Sequence, residues 1–322
     1  MLLRGAVGEG RGVLILNTLA PVFLLVACGA LMQRSGFVSA GFLREANRVT
    51  YWLGLPALLF SQLAGSFHGI AGAGPMLAVM VCATLASIAA GYVVVWAMRV
   101  PEAAAGTLAQ GAFRGNLAFV GLPIIFALPD TPLGGGLTTR SAAVITVAPM
   151  MVFYNVAGVV VLLLSQHPIS WKMARPFLKQ LATTPPLIAT VAGVSVALMG
   201  WTLPASVDKT FSSLGEMALP LGLLGVGGAI ITSRLGGAWR TPLAAALVKT
   251  VVSPLLGWVV GRALGLGATE LKLVMILMAC PTAIVSYTMA LEMKGDETIA
   301  SGAIVLSTLT SMVALAVIVG WF

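Results

Sequence analysis

The chain has 322 residues, of which 59% are hydrophobic and only 9% are charged, and its mean hydropathy is +1.02. A soluble domain of average composition has about a quarter of its residues charged, so these values exclude a water-soluble globule and predict a membrane protein. The net charge of +8 comes from Lys and Arg in short connections between apolar runs, which indicates orientation in a bilayer rather than nucleic-acid binding.

Ten apolar runs are long enough to cross a bilayer as helices, which takes about 20 residues. The first run follows Arg4 and Arg11 as in a signal peptide, but no small-residue cleavage site ends it, so we expect a retained span. Lipid offers no partner to an open backbone, and an all-α polytopic fold is therefore predicted. The runs are 13–33, 43–64, 75–98, 104–128, 139–164, 182–200, 211–232, 242–264, 270–291 and 297–321.

The longest polar connection divides the chain into two halves of five runs, residues 1–164 and 182–322, joined by a linker at 165–181. An odd number of spans makes the second half enter the membrane from the opposite side, so the halves predict an inverted repeat, the plan of many secondary transporters. At an offset of 164 residues the coincident pairs are Pro21 and Pro185, Gly29 and Gly193, Gly36 and Gly200, and Pro56 and Pro220.

The positive-inside rule gives this arrangement an orientation. The loops on the side of linker 165–181 contain ten Lys and Arg residues, and those on the other side contain six. We therefore expect an inner-membrane protein with a cytoplasmic linker and both termini outside the cytoplasm.

Runs 4 and 9 occupy corresponding places in the two halves, and each contains a proline with polar neighbours: residues 115–123 read GNLAFVGLP and residues 279–287 read ACPTAIVSY. Proline removes a backbone donor and clashes with the carbonyl one turn earlier, and open backbone within a membrane must face protein or a watery cavity. We expect broken helices at mid-membrane that form a substrate site, with half-helices restarting near Pro123 and Pro281. A pair of packing kinks is the alternative.

Polar residues near these breaks are candidate ligands. Asn116 has a donor and an acceptor for a substrate, or it caps the broken helix. Arg114 in an apolar run is either functional or snorkels to the interface, whereas we expect Lys249 to snorkel. Tyr154 and Asn155 are candidates for the cavity wall. The predicted substrate-binding set is Arg114, Asn116, Gly121, Pro123, Asn155, Pro281, Thr282, Ser286 and Tyr287.

No cofactor or metal is expected from the sequence. The three cysteines lie singly in apolar runs and form no CxxC pair. The glycine-rich stretches lack the lysine and spacing of a phosphate-binding loop, and Gly222, Gly225 and Gly228 are predicted to allow close helix packing. Glu216, early in run 7, is expected at the membrane interface, and a proton or cation site is the alternative.

The stretches GNLAFVGLPI at 115–124 and CPTAIVSYTMALEM at 280–293 resemble the auxin efflux carrier family, which includes plant PIN carriers and bacterial permeases for malonate and other carboxylates. The opening LAPVFLLVACGALMQRSGF, followed by YWLGLPALLF, is similar to the same family. The resemblance implies ten helices in two inverted repeats, with helices 4 and 9 crossing at the substrate site and spans 1, 2, 6 and 7 forming a scaffold that makes a homodimer. By position it implies site roles for Asn116, Pro123 and Pro281. The chain departs from the family at two positions. It has Ser286 where plant members have a second proline, and Val285 where many relatives have a polar residue.

These features predict a secondary carrier that moves a small organic anion, an auxin- or malonate-like carboxylate, across the inner membrane by elevator-type alternating access. A receptor on the same fold, which binds a small ligand without net transport, is the alternative. An enzyme is not expected, because the runs show no paired nucleophile and base.

Overall fold

A computed structural model describes residues 20–21, 23–64, 74–133, 137–166, 179, 183–232 and 239–321. Most of linker 165–181, the N-terminal arginines and the start of run 1 lie outside these residues. The regular structure of the described residues is helical, apart from two isolated bridges. The helices are α1 Phe23–Arg34, α2 Ala40–Val49, α3 Leu55–Ala64, α4 Gly74–Ala97, α5 Glu102–Phe113, α6 Leu122–Ala127, α7 Thr139–Gln166, α8 Pro185–Leu198, α9 Ala205–Glu216, α10 Ala218–Thr232, α11 Arg240–Leu247, α12 Ser253–Ala263, α13 Ala268–Ala279, α14 Val285–Glu292 and α15 Glu297–Trp321.

Four helical stretches among the described residues are long and apolar enough to cross a membrane. Breaks divide several of the other predicted runs into shorter helices. The helices α1 and α8 are also short and apolar. This all-helical, apolar structure is that of a multi-pass membrane protein. The four stretches are Gly74–Ala97, Thr139–Gln166, Arg240–Ala263 and Glu297–Trp321.

Each of three π-helical turns is followed, two residues later, by a proline. In the turn before Pro123, the N–H of Leu122 donates to the carbonyl of Leu117, five residues earlier. The wider turn relieves the clash between the proline ring and the preceding carbonyl. Pro123 therefore lies inside a helical segment that starts at Leu117, and the prediction that the half-helix restarts at Pro123 is wrong. The three motifs are Thr50–Gly54 with Pro56, Leu117–Gly121 with Pro123, and Val248–Val252 with Pro254.

The helices pack in two groups, which we call the core bundle (α4–α7 and α11–α15) and the side bundle (α1–α3 and α8–α10). Side chains such as Met80, Phe113 and Leu277 form the apolar centre of the core bundle. In the side bundle, α3 packs along α8 and α9, and α1 crosses α10 so closely that a Cβ on Gly227 would lie 2.0 Å from the carbonyl oxygen of Val26. Each bundle contains helices from both halves of the sequence.

The ends of α1 and α8 are alike. Gly36 and Gly200, which coincide at the 164-residue offset, both follow a helix end and both have a left-handed backbone, with φ of +74° and +66°. Glycine takes this conformation without a steric penalty. An exposed aromatic residue comes next in each case, Phe37 and Trp201.

Candidate functional site

The α5–α6 helix and the α13–α14 helix are both interrupted, and the interruptions cross each other. The N–H of Asn116 donates to the carbonyl of Pro281 at 2.8 Å, and the N–H of Ala283 donates to the carbonyl of Arg114 at 2.8 Å. Together they form an antiparallel bridge. Each extended segment satisfies backbone groups that the other leaves open, which permits two unwound stretches inside an apolar protein.

Side chains of the core bundle hold the carbonyl ends of both broken helices. Thr282 Oγ1 donates to the carbonyl of Gly111, in the last turn of α5, at 2.8 Å. Lys249 is 0% exposed, and its ammonium donates to the carbonyl of Met278, in the last turn of α13. A cation at this position offsets the partial negative charge of a helix C-terminus.

The prediction that Lys249 snorkels to the membrane surface is therefore wrong. Lys249 lies near the middle of the helical stretch Arg240–Ala263, so the open end of α13 is nearer to its ammonium than either end of its own helix. A sequence shows the depth of a lysine in a span but not which internal helix end its side chain faces.

Asn116 begins the first half-helix. Its Oδ1 accepts a hydrogen bond from the N–H of Phe119 at 3.4 Å, so the side chain is an N-cap, as one of the two sequence interpretations held. The amide nitrogen of Asn116 has no hydrogen-bond partner among the described residues. The half-helices that start at Leu117 and Val285 present the open N–H groups of their first turns to the crossing.

Arg114 lies beside the crossing and is only 3% exposed. Its guanidinium donates to Asn155 Oδ1 and, at 2.7 Å, to Met289 Sδ. When the side-chain amide of Gln110 is oriented with its oxygen toward Arg114, that oxygen accepts a third hydrogen bond from the guanidinium at 3.2 Å. All three acceptors are neutral, and the ion pair found among the described residues is an exposed one on α2. Arg114 therefore does not snorkel, and its buried charge has no described carboxylate partner.

Two adjoining cavities lie beside the crossing, between the two bundles. The larger has about 440 Å³ of space and the smaller about 320 Å³, their open mouths included. Leu58 of the side bundle and Asn116 of the core bundle line both. Apolar walls with a few convergent polar groups are typical of small-molecule sites. The polar side chains in the walls are Arg114, Asn116, Tyr154, Asn155 and Thr288.

Three of the nine predicted site residues, Arg114, Asn116 and Asn155, line these cavities. Other members of the set support the crossing or lie behind it. Gly121 gives α13 room, because a Cβ there would lie 2.9 Å from Leu277 Cδ2. Pro281 and Thr282 form the second break itself.

Ser286 and Tyr287 lie behind the cavity wall rather than in it. The Ser286 hydroxyl is buried, with no hydrogen-bond partner among the described residues. The Tyr287 hydroxyl shares its one proton between the carbonyl of Gly225 at 3.2 Å and Glu297 Oε1 at 3.1 Å. Gly222 and Gly225 face Ile284 and Tyr287, so their predicted role in close packing is confirmed.

Sequence reasoning missed Gln110 and Thr190, which extend the polar network around Arg114 and Asn155. A polar side chain inside an apolar run is the signal that could have found them. It also missed apolar wall residues outside the two interrupted runs, such as Leu58 and Met151. Their sequence has no such signal, because cavity-facing and lipid-facing apolar residues look alike.

A further cavity of about 780 Å³, its mouth included, lies away from the crossing, between the end of α6 and the start of α13. Nearby, Asp130 accepts hydrogen bonds from the N–H of Arg140 at 3.1 Å and from Thr139 Oγ1 at 3.0 Å. The Arg140 hydrogen bond, opposed in part by desolvation, holds the pKa of Asp130 below its ordinary value. These contacts hold Asp130 against the first turn of α7.

Comparison with known proteins gives this geometry a family. A family model described as membrane transport protein matches residues 14–319. The chain belongs to this family. The match confirms the resemblance to auxin efflux carriers that the motifs indicated, and it makes the chain a membrane transporter.

The transporter is also similar to an uncharacterized transporter of Methanothermobacter thermautotrophicus. The two are 23% identical over 303 residues, which covers 93% of this chain and 95% of that protein. The similarity therefore extends along both halves and includes both broken helices.

Proposed function

We propose that the protein is a secondary carrier for small organic anions and that it binds a carboxylate at the crossing. The observation that carries this proposal is the guanidinium of Arg114, which is buried, lines a cavity and has only neutral described acceptors. A guanidinium binds a carboxylate through two parallel hydrogen bonds, more strongly than it binds neutral oxygen or sulfur.

The surroundings of Arg114 favour the same ligand class. The two half-helices direct the positive ends of their dipoles toward the crossing, and the amide nitrogen of Asn116 adds a donor. Among the described residues, neither cavity wall contains an Asp or Glu that would repel an anion. The apolar walls, which include Phe119 and Ile284, suit a substrate with a small hydrocarbon body.

The arrangement of the bundles supports an elevator-type mechanism. The crossing belongs to the core bundle, whereas Leu58 and Ala218 of the side bundle form the facing wall. Movement of the core bundle along the side bundle would carry the site toward one membrane face and then the other. The matched glycines Gly36 and Gly200, and the two breaks that cross, one from each half, support two inverted repeats.

The remaining parts of the proposal concern placement in the cell. The Lys and Arg count supports an inner-membrane carrier with both termini outside the cytoplasm. The side bundle contains the spans that form the dimer scaffold in the resembling family, and we propose a homodimer through this bundle.

Transport into proteoliposomes tests the function. Proteoliposomes that contain the purified protein should accumulate labelled mono- or dicarboxylates but not their neutral amide analogues. Arg114→Gln should reduce uptake by at least about tenfold, the scale of one lost charged hydrogen bond, whereas Arg114→Lys, which retains the charge, should reduce it less. Equal uptake of amides, or a preference for cations, contradicts the proposal. Binding without net transport favours a receptor instead.

Asn116 allows capping and binding to be separated. Asn116→Ala removes both the cap and the free donor, and we expect about tenfold weaker carboxylate binding. Asn116→Asp retains a good N-cap but places a negative charge in the cavity, so the protein should remain folded while binding is weaker still. Carboxylate binding by Asn116→Asp that equals that of the unaltered protein would show that Asn116 only caps the helix.

A further inference from the structure

We propose that Asn155 links occupancy of the anion site to release of the core bundle from the side bundle. This inference rests on the proposed function. Asn155 is a positioning residue in this account: it lies between the group that binds the anion and a contact that holds the two bundles together.

The contact that Asn155 makes between the bundles is a hydrogen bond from its Nδ2, on α7, to Thr190 Oγ1, on α8, at 3.1 Å. Both side chains are 1% exposed, so no water competes for the bond. The Thr190 hydroxyl itself donates to the carbonyl of Pro186 at 2.7 Å. Thr190 is thereby fixed as an acceptor for Asn155 by its own helix.

Other hydrogen bonds also join the bundles, but they lie away from the cavities. Tyr287 donates to the carbonyl of Gly225, and Asn47 Nδ2 donates to Glu292 Oε1 at 3.4 Å. None of these four residues lines either cavity beside the crossing, whereas Asn155 lines the larger one. A ligand in the cavity can therefore reach the Asn155–Thr190 bond but not these two.

The other end of the Asn155 amide accepts a hydrogen bond from the Arg114 guanidinium. Both ends of one planar amide are thus fixed, one by the anion-binding group and the other by the side bundle. A carboxylate that enters the cavity is a stronger acceptor for the guanidinium than an amide oxygen is. When the carboxylate takes the Arg114 donor, the Asn155 amide loses the partner that orients it, and its bond to Thr190 weakens.

The consequence is a carrier whose bundles are joined more strongly when the site is empty than when it is occupied. Coupling between two such equilibria is reciprocal. If a bound carboxylate weakens the Asn155–Thr190 bond, then removal of that bond must strengthen carboxylate binding. A merely structural Thr190 predicts the opposite, because loss of packing or order weakens binding.

The test uses Thr190→Val, which has nearly the same shape and no hydroxyl, with the full-length protein. We expect the dissociation constant for a transported carboxylate to fall by about two- to tenfold, the range that one neutral hydrogen bond spans. We also expect net efflux from proteoliposomes to rise relative to one-for-one exchange, because net efflux alone requires the empty carrier to reorient. Thr190→Ser retains the hydroxyl and should behave like the unaltered protein.

Ser195→Ala is the matched control on the same helix. The Ser195 hydroxyl donates to the carbonyl of Val191 at 2.8 Å, as Thr190 does to its own helix, but Ser195 is only half-buried and makes no described bond to the core bundle. Ser195→Ala should change neither quantity. Equal or weaker carboxylate binding by Thr190→Val, with an unchanged ratio of efflux to exchange, overturns this inference alone. Failure of the unaltered protein to bind any carboxylate overturns the proposed function and this inference with it.

Discussion

The break between α5 and α6 and the break between α13 and α14 each have a buried cation beside them, Arg114 and Lys249. The backbones of the two breaks are similar, since each donates one N–H to a carbonyl of the other. The cations differ in their surroundings. Arg114 lines a cavity and has only neutral described partners, whereas Lys249 is enclosed and donates to the end of α13.

This difference indicates that one crossing combines two tasks. The charge at the first break is available to a ligand, and the charge at the second is bonded to an open helix end. The polar side chains of the second break, such as Thr282, are bonded to the protein itself. We therefore expect recognition to depend on the first break and the shape of the crossing to depend on the second.

The largest expected difference concerns the prolines. A residue before proline is disfavoured in helix, and Cys280 is extended, with φ −55° and ψ 144°. Pro281→Ala should let α13 continue and draw the carbonyl of residue 281 away from Asn116, reducing transport by at least about tenfold. Pro123 lies inside a helix, so Pro123→Ala should keep transport within about twofold, as should the control Pro56→Ala, which has the same place after a π turn. Equal losses in the two crossing variants would contradict the asymmetry.

The next largest effect concerns Lys249. Burial of a cation without a counter-charge costs several kcal/mol, and its hydrogen bond to a carbonyl returns about 1.5–3 kcal/mol. Lys249→Met should therefore raise the apparent melting temperature of the purified protein by about 2–4 °C, while transport falls by about tenfold. Lys249→Arg, which retains the charge, should show no such rise. A destabilised Lys249→Met protein with normal transport would mean that the lysine serves stability alone.

The smallest expected effect on transport concerns Thr282, whose hydroxyl holds the end of α5. Thr282→Val has nearly the same shape but leaves the carbonyl of Gly111 without that donor. We expect a loss of about 1–3 kcal/mol in stability, measured as a lower melting temperature, with unchanged carboxylate affinity once the protein is folded. Thr282→Ser retains the hydroxyl and is the control. A fall in affinity without a fall in stability would place Thr282 in recognition instead.

Much of this organisation could be predicted from the sequence. Apolar runs predict the helices because lipid excludes every other open backbone, and the paired polar interruptions indicated the two segments that cross. Arg114, Asn116 and Asn155 stood out as polar residues in apolar surroundings, and all three line the larger cavity.

The sequence could not show the rotation of each helix. Pro123 and Pro281 have equivalent places in the sequences of the two halves. In the structure a π turn accommodates Pro123, whereas Pro281 lies in extended backbone. The partner of Lys249 is 29 residues away along the chain, and it depends on which way one helix face turns. The wall residues that other helices contribute, such as Leu58 and Met151, could not be identified for the same reason.

The π turns have a consequence for insertions and deletions in this chain. A π turn is a helix with one extra residue, and one residue corresponds to about 100° of rotation. The extra residue in Val248–Val252 lets Lys249 face the end of α13. Four positions later, Ser253 Oγ accepts a hydrogen bond from Ser87 Oγ, on α4, at 3.0 Å. Deletion of a single residue there would turn α11 against α12 by about 100°, and one of those two contacts would be lost. A one-residue gap at this point in a relative would therefore mark a change in the phase of the helix rather than a harmless change in length.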